Sequence, residues 1–295
     1  IESTREVRTT HTENPAFLLT LNSDSFSETC GEVIAGALAW SGNFRLNFEV
    51  DEFDVLTVLA GANPNASEYR LRPGETFTTP EMIYTHSFCG AGGASRNLHD
   101  WARNYGIDHG HEVVPTLLNS WEGAYFKFDA KVLKQMIDDA ASMGLEMFVL
   151  DDGWFGNKYP RNNSNAGLGD WQVNAAKLPE GIDHIASYAH SKGLKFGIWI
   201  EPEMTNTRSE LYEKHPDWVI QQPYRENRKG RGGTQQVLDL SNPAVQEFVF
   251  GVVDRLMTAH PDIAYIKWDD NMTLYNYGST FLPADRQSHL YIEYH

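Results

Sequence analysis

The sequence predicts a multidomain chain, with part of an N-terminal β-sandwich followed by the first half of a (β/α)8 TIM barrel. Residues 1 to about 85 contain short strand patterns without a helical period, which is typical of a sheet-rich module. From about residue 110, amphipathic helices alternate with apolar strands, and acidic residues directly follow several of the strands. We therefore expect 1–94 to be the C-terminal part of the sandwich domain, 95–109 a linking helix and 110–295 the partial barrel.

The strand candidates of the first region are short and lie between turn signals. Phe44–Val50 alternates apolar and polar residues, which is the period of a half-buried strand. Ser41-Gly42-Asn43 separates it from a strand candidate at 33–40, and such a short polar connection predicts a hairpin. Residues 90–93 predict a loop before the linking helix. The other strand candidates of this region are 17–21 and 55–61.

A recurring unit begins after residue 110: an amphipathic helix, a turn, an apolar strand and an acidic residue. Asp129 can cap the first of these helices, and Gly144 can end it. Helices are predicted at about 130–143, 182–192 and 244–259. Strands are predicted at 115–119, 147–150, 196–200 and 264–268. Apolar strands that alternate with helices indicate a parallel sheet covered on both faces, so this region supplies four of the eight strands of a closed barrel.

Two further strand candidates, 218–221 and 236–240, lie after the third barrel strand. The segment between them is polar and rich in glycine, whereas a parallel pair would need a crossover that is usually a helix. We therefore expect a hairpin-like insertion at this position. An open parallel sheet leaves apolar edges, so we also expect the chain to be a fragment that lacks both ends of its protein.

The composition excludes several classes of partner. The net charge of −16 disfavours nucleic acid and anionic membranes, which need clustered basic residues. Cys30 and Cys89 are the only cysteines and form neither a metal-type motif nor a disulfide framework. The chain begins with Ile1 rather than Met, so the compartment cannot be read, although a soluble cytoplasmic or periplasmic protein is the expectation. The aromatic content of 12% fits a saccharide site.

The stretch that carries the most chemical information is Tyr265-Ile266-Lys267-Trp268-Asp269-Asp270-Asn271. Asp269 alone would suit a helix cap or a loop. Lys267 lies two residues earlier, on the same side of a strand, where its charge would favour the ionised form that a nucleophilic carboxylate needs. A carboxylate beside a cation and a flat ring suits work on a sugar.

Other candidate residues leave more than one interpretation open. Asp151 and Asp152 form either a simple turn or a pair of acceptors for vicinal sugar hydroxyls. Glu201 is either a cap or a site residue. Three more residues fit either a core or loop position or the site: Trp121, Trp199 and Arg231.

Five motifs in this order resemble glycoside hydrolase family 36, the retaining α-galactosidases with some α-N-acetylgalactosaminidases. They cover about 115 to 275, and the sheet-rich start is similar to the end of the family's N-terminal sandwich. The motifs are Asn119-Ser120-Trp121-Glu122, Leu150-Asp151-Asp152-Gly153-Trp154-Phe155-Gly156, Trp199-Ile200-Glu201-Pro202-Glu203-Met204, His215-Pro216-Asp217-Trp218 and Lys267-Trp268-Asp269-Asp270-Asn271.

The resemblance implies roles for individual residues. Asp269 matches the catalytic nucleophile, and Asp151 and Asp152 match the pair that binds galactose hydroxyls. Asp270 stands where the family commonly has Met, which adds a charge beside the nucleophile. The residues that match the rest of the galactose subsite are Trp121, Trp199, Arg231, Lys267 and Asn271.

The implied reaction is hydrolysis of terminal non-reducing α-D-galactose from oligosaccharides by double displacement. No metal or cofactor is implied, and the full-length parent is expected to be a homo-oligomer. The family's acid/base Asp lies beyond His295, so the fragment is expected to be inactive by itself. The alternatives are an α-N-acetylgalactosaminidase of the same family and a non-catalytic galactoside-binding protein.

Overall fold

A computed structural model of the chain describes every residue except 2–7, 21–25, 66, 228–229, 273 and 275–276. The chain divides into two compact units. The first comprises 1–113, 288–293 and 295, and the second comprises 114–287 and 294. The predicted linking segment 95–109 lies within the first unit. The domain boundaries predicted at 94 and 109 stay predictions about the organisation of the whole protein.

The first unit contains two antiparallel sheets whose side chains meet in a common core. Its strands are β1 (Ala16–Thr20), β2 (Val33–Ala39), β3 (Phe44–Val50), β4 (Leu56–Ala62) and β5 (Glu81–Ser87). Strand β2 lies between β1 and β5, and β3 pairs with β4. Leu38 of β2 packs against Phe44 and Leu46 of β3, so apolar residues of the two sheets bury one another. This arrangement confirms the predicted sandwich.

The hairpin predicted at Ser41-Gly42-Asn43 is wrong. Strand β2 forms its hydrogen bonds with β1 and β5, while β3 pairs with β4 in the other sheet. The four-residue connection, 40–43, therefore carries the chain from one sheet to the other. A short polar segment predicts a reversal of the chain, but the choice of pairing partner depends on strands far away in sequence.

Helix α1 (Gly90–Trp101) begins earlier than predicted, and a π-helical turn at Ala102–Gly106 follows it. The loop predicted at 90–93 is therefore wrong. Its glycines permit close packing: a Cβ atom on Gly92 would lie 2.9 Å from the carbonyl oxygen of Glu28. Ala94 of α1 packs with Val33 in a second core cluster of this unit.

The second unit is built on a parallel four-stranded sheet. The strands of this sheet are β6 (Leu117–Asn119), β7 (Met147–Leu150), β8 (Lys195–Ile200) and β11 (Ile263–Trp268). A separate two-stranded sheet contains β9 (Met204–Asn206) and β10 (Gln235–Val237). The helices of the second unit are α2 (Trp121–Ala124), α3 (Ala130–Ser142), α4 (Gly181–Ser191), α5 (Glu210–Lys214) and α6 (Pro243–Ala259). The sheet order is β11-β8-β7-β6, with every pair parallel. The four predicted barrel strands are therefore confirmed, and their carboxyl ends share one edge.

The ends of helix α3 follow the predicted local chemistry. The Asp129 side chain accepts a hydrogen bond from the Val132 N–H at 2.9 Å, which satisfies one free donor of the first turn. Gly144 has a φ of 76°, a left-handed conformation that ends the helix at little steric cost. Leu133 and Ile137 of this helix are fully buried.

The insertion after β8 agrees with the prediction only in part: the segments 218–221 and 236–240 do meet antiparallel, but they form a single bridge rather than a pair of strands. Strand β10 pairs antiparallel with β9, which follows β8 directly. The predicted strand at 218–221 is replaced by a 3-10 turn (Pro216–Trp218) and one antiparallel bridge between Val219 and Leu238. Strand β9 has only three residues and so gives no recognisable period in the sequence.

The chain continues through a 3-10 helix (Ala284–His289) to a short helix, α7 (Leu290–Glu293). None of the helices in the described part of the chain has the length and apolar character of a membrane span.

Candidate active site

Asp269 follows directly after β11, and three donors fix its carboxylate. Its Oδ2 accepts hydrogen bonds from Trp199 Nε1 at 2.9 Å and Asn271 Nδ2 at 2.7 Å. Its Oδ1 accepts the backbone N–H of Asp270 at 2.9 Å. The backbone N–H of Asp269 bonds to the carbonyl of Ile200 at the end of β8, so the carboxylate is anchored to the sheet edge.

Trp199 serves the core and the site together. It is 1% exposed, its ring lies parallel to that of Phe155 at 6.1 Å, and its carbonyl accepts the Trp154 indole N–H at 2.9 Å. Its own indole N–H donates to Asp269. Trp199 therefore packs in the core and also contacts Asp269, and its part in substrate binding stays a prediction.

The sequence predicted that the charge of Lys267 acts on Asp269, but the ion pair of Lys267 is formed with Asp151. The lysine Nζ lies 2.8 Å from Asp151 Oδ2. Side chains two residues apart share a face of a strand, but the long lysine side chain can reach across a neighbouring strand. Lys267 thus connects the ends of β11 and β7, which flank β8 in the sheet.

Asp151 is buried at the end of β7, and four hydrogen bonds hold it there. Besides Lys267, Asn119 Nδ2 donates to Asp151 Oδ2 at 2.6 Å. The Asp151 backbone N–H donates to Ser120 Oγ at 2.9 Å. Its Oδ1 accepts the backbone N–H of Asp152 at 2.8 Å. Asn119 is the last residue of β6 and Ser120 follows it, so these contacts connect Asp151 to the ends of β6 and β11.

Asp152 forms a bidentate ion pair with Arg161. The Nε–Oδ1 distance is 2.9 Å and the Nη2–Oδ2 distance is 2.8 Å. Both side chains are almost completely buried. Burial raises the pKa of Asp152, and the guanidinium of Arg161 opposes this rise. The two carboxylates predicted as a pair are therefore adjacent but have different cationic partners.

Glu201 lies beneath the segment that follows Asp269. Its Oε1 accepts the backbone N–H of Asn271 at 2.7 Å and Gln235 Nε2 at 3.0 Å. Burial raises the pKa of Glu201 to about 7, the hydrogen bond from Asn271 opposes the rise, and the charge of Asp269 adds to it. The contacts favour the site interpretation of this residue over a helix cap.

Trp121 and Arg231 lie together at another part of the same edge. The guanidinium carbon of Arg231 is 5.8 Å from the centroid of the Trp121 ring, within the range of a cation–π contact. Trp121 begins α2, and its backbone N–H donates to Asn119 Oδ1 at 2.8 Å. The charge of Arg231 also acts on Asp152, where it opposes the burial that raises the pKa of that carboxyl.

The structure thus brings every predicted site residue into contact with another member of the site. Trp199, Asp269 and Asn271 form one group and Asp151 and Lys267 a second. Arg231 contacts the ring of Trp121, and its charge acts on Asp152. Across the described residues, no group of three or more His, Cys, Asp or Glu side chains is arranged to hold a metal ion.

Sequence reasoning missed two residues of this site. Asn119 ends a predicted strand and lies in the same motif as Trp121, so its position was a usable signal. Arg161 lies in a polar loop rich in asparagine and has no local pattern that marks it. Only the fold shows that this arginine is 1% exposed and faces a carboxylate.

This geometry suits chemistry on a polyhydroxylated molecule. A fixed carboxylate at Asp269 can attack an electrophilic carbon, because its orientation is set before a ligand arrives. Carboxylates at Asp151 and Asp152 keep lone pairs that can accept hydroxyl groups.

Comparisons with known proteins identify the family of the chain. The Melibiase family profile matches residues 76–294, and the profile of the glycosyl hydrolase family 36 N-terminal domain matches 1–72. The chain is 38% identical to alpha-galactosidase 2 of Pediococcus pentosaceus over 294 residues, which is 100% of this chain and 40% of that protein. It is 39% identical to alpha-galactosidase AgaA of Geobacillus stearothermophilus over 286 residues, 96% of this chain and 38% of that protein.

Solved structures give the same result. A variant of Geobacillus stearothermophilus AgaA in complex with 1-deoxygalactonojirimycin superposes with a TM-score of 0.92 at 37% identity, covering 100% of this chain and 40% of that one. Variants of that enzyme in complex with raffinose and with stachyose give TM-scores of 0.92 and 0.91. The chain spans about 40% of the length of these relatives. Because the Melibiase profile matches well over half of its residues, the chain belongs to the melibiase family, within glycosyl hydrolase family 36.

Proposed function

We propose that the whole protein hydrolyses terminal non-reducing α-D-galactose residues of oligosaccharides with retention of configuration. The observation that carries this proposal is the carboxylate of Asp269, held at a strand end by Trp199 and Asn271 beside the Asp151–Lys267 pair. A retaining glycosidase needs such a fixed, ionised carboxylate on one face of the sugar.

In the proposed reaction, Asp269 attacks the anomeric carbon while the bond to the leaving oxygen breaks. A second carboxylic acid, about 5 to 5.5 Å from the nucleophile in retaining enzymes, protonates that oxygen. The resulting galactosyl ester at Asp269 is then hydrolysed by water, which restores the carboxylate. Trp199 and Asn271 hold Asp269 in line, and no metal or organic cofactor takes part in any of these steps.

The remaining site residues are proposed to bind galactose. Asp151 and Asp152 would accept hydrogen bonds from vicinal hydroxyls, and Lys267 would donate to one. Trp121 and Arg231 would contact the sugar from the side of β6. The complexes of the related AgaA variants with raffinose, stachyose and 1-deoxygalactonojirimycin support this substrate class. Assembly of the whole protein into homo-oligomers stays a prediction.

Covalent trapping tests the proposal directly. The whole protein is treated with an activated fluorinated α-galactosyl inactivator, digested, and searched by mass spectrometry for a galactosyl ester. We expect the label on Asp269 and none in Asp269→Asn. Asp270→Asn is the matched control, because it removes the adjacent carboxyl group and should leave the label on Asp269. A label on Asp270, or release of β-galactose as the first product by NMR, would overturn the mechanism.

Two aryl substrates separate the proposal from its alternatives. Faster turnover of an aryl α-galactoside than of the aryl N-acetyl-α-galactosaminide supports the galactosidase, and the reverse order supports the N-acetylgalactosaminidase. Binding of galactose without turnover of either substrate supports a non-catalytic binding protein.

A further inference from the structure

Arg161 has no role in the proposed reaction, yet it is among the most deeply buried charged residues of the second unit. Its Nε and Nη2 are used by Asp152. Its Nη1 donates to the carbonyl of Ala166 at 3.2 Å and to Asn206 Oδ1 at 2.9 Å. The guanidinium group therefore joins a carboxylate of the site to a residue on β9.

Asn206 is itself completely buried, and each of its polar atoms is used twice. Its Oδ1 accepts from Arg161 and from the Leu168 backbone N–H at 3.0 Å. Its Nδ2 donates to the Ser164 carbonyl at 3.1 Å and to Thr234 Oγ1 at 2.9 Å. An amide with two donors and two acceptor lone pairs has no capacity left, so its orientation is fixed.

Thr234 connects this asparagine to the turn that contains Arg231. It follows the 3-10 turn Arg231–Gly233 directly. Its hydroxyl donates to the Asn165 carbonyl at 2.8 Å, and its own carbonyl accepts the Thr207 N–H at 2.9 Å. Thr234 is thus the fixed end of a short turn whose other end carries the guanidinium above Trp121.

We propose that Arg161, Asn206 and Thr234 form a positioning network that holds Asp152 and the Arg231 turn in one fixed relation for galactoside binding. The inference rests on the proposed function, since Asp152 and Arg231 bind the sugar in it. None of the three network residues is proposed to touch the substrate. They act through the two residues that do, and Asn206 is the shared junction.

The physical reason for such a network is the environment of Asp152. A buried carboxylate without a cation takes up a proton, and a protonated carboxyl group loses acceptor capacity. Arg161 supplies the cation in a planar, bidentate geometry that lysine cannot reproduce. Because one lone pair of each carboxylate oxygen is used by Arg161, the remaining lone pairs lie in a defined plane for the hydroxyls.

A double-mutant cycle in the whole protein tests the network. The variants are Arg161→Lys, Thr234→Val and their combination, and the readouts are the dissociation constant for 1-deoxygalactonojirimycin by calorimetry and the KM for an aryl α-galactoside. Thr234→Val removes the hydroxyl and both of its hydrogen bonds, with Asn206 and Asn165, so we expect affinity to fall about three- to tenfold or more. Thr234→Ser restores the hydroxyl and should bring affinity back to within about twofold of the wild type.

The double variant shows whether Arg161 and Thr234 act through one network or independently of each other. If both residues act through Asn206, the double variant loses less affinity than the product of the two single losses. We also expect Arg161→Lys to move the acid limb of the kcat/KM profile to higher pH, because Asp152 then keeps its proton longer. The network is overturned if the affinity loss of the double variant equals the product of the two single losses, or if Thr234→Ser does not restore affinity.

The outcomes also separate this inference from the proposed function. Tight binding of 1-deoxygalactonojirimycin without hydrolysis of the galactoside counts against the reaction and leaves the binding cycle interpretable. If the wild type does not bind the compound, both the proposed function and the network fail. Melting temperatures of all variants show whether a loss of affinity arises from unfolding.

Discussion

Replacing Glu201 by Gln removes a buried proton-binding group and so changes how stability depends on pH. The amide oxygen can take the place of Oε1 and accept the same two donors, from Asn271 and Gln235. The amide NH2 then occupies the position of the second carboxyl oxygen. The substitution therefore resembles the protonated acid in shape and hydrogen bonding, but it cannot ionise.

The magnitude follows from the difference between the folded and unfolded pKa values of this carboxyl. The folded pKa is about 7, against an ordinary value of 4.5 in the unfolded chain. A raised carboxyl pKa stabilises the fold fully below the unfolded value, and this contribution is lost as the pH rises through the folded value. The linkage relation gives about 2 kcal/mol of stabilisation at pH 5.5 and about 0.1 kcal/mol at pH 8.

Urea unfolding followed by tryptophan fluorescence at pH 5.5 and pH 8 measures this change. The wild type should lose about 2 kcal/mol relative to Glu201→Gln between the two pH values. Glu247→Gln, on the exposed surface of α6, corrects for the loss of one negative charge. If the corrected difference stays constant within about 0.5 kcal/mol, the buried, protonated state of Glu201 is refuted.

Three further predictions concern single side chains. Trp199→Phe removes the indole donor to Asp269 and should lower kcat/KM of the whole protein about 10- to 100-fold, the value of one hydrogen bond to a charged group, in steady-state assays. Asp129→Ala removes the cap of α3 and should lower the free energy of unfolding by about 1 kcal/mol, whereas Asp129→Ser should retain most of it. Burial lowers the pKa of Lys177 to about 8, and its ammonium group is held by the carbonyls of Phe126, Gly153 and Arg161. A lowered lysine pKa costs stability while the group is charged, so the wild type should gain stability relative to Lys177→Met between pH 8 and pH 10, as measured by urea unfolding.

Local chemistry made part of this architecture predictable from the sequence. Asp129 and Gly144 act within a few residues of their own positions, so both ends of helix α3 can be predicted from the local sequence. Asp151 and Asp269 come directly after apolar strands, and parallel strands bring such positions to one edge of the sheet. The placement of these carboxylates therefore needed only strand type and order.

The features that escaped prediction all depend on partners far away in sequence. Lys267 reaches Asp151, 116 residues away, because its side chain crosses a strand whose position is set by the sheet order. Arg161 is buried among partners that include Asp152 and Asn206 of β9, and β9 itself is too short to show a period. Strands β2 and β3 are separated by four residues and yet belong to different sheets.

The double role of Trp199 limits which substitutions this region can accept. Its indole packs beside Phe155 in the interior and also orients the carboxylate of Asp269. Any change that repacks this part of the core therefore shifts a hydrogen-bond donor of the site. We expect conservative, volume-preserving exchanges at Phe155 to leave the melting temperature nearly unchanged and still alter turnover. A screen that selects such variants for stability alone would therefore retain variants with altered turnover.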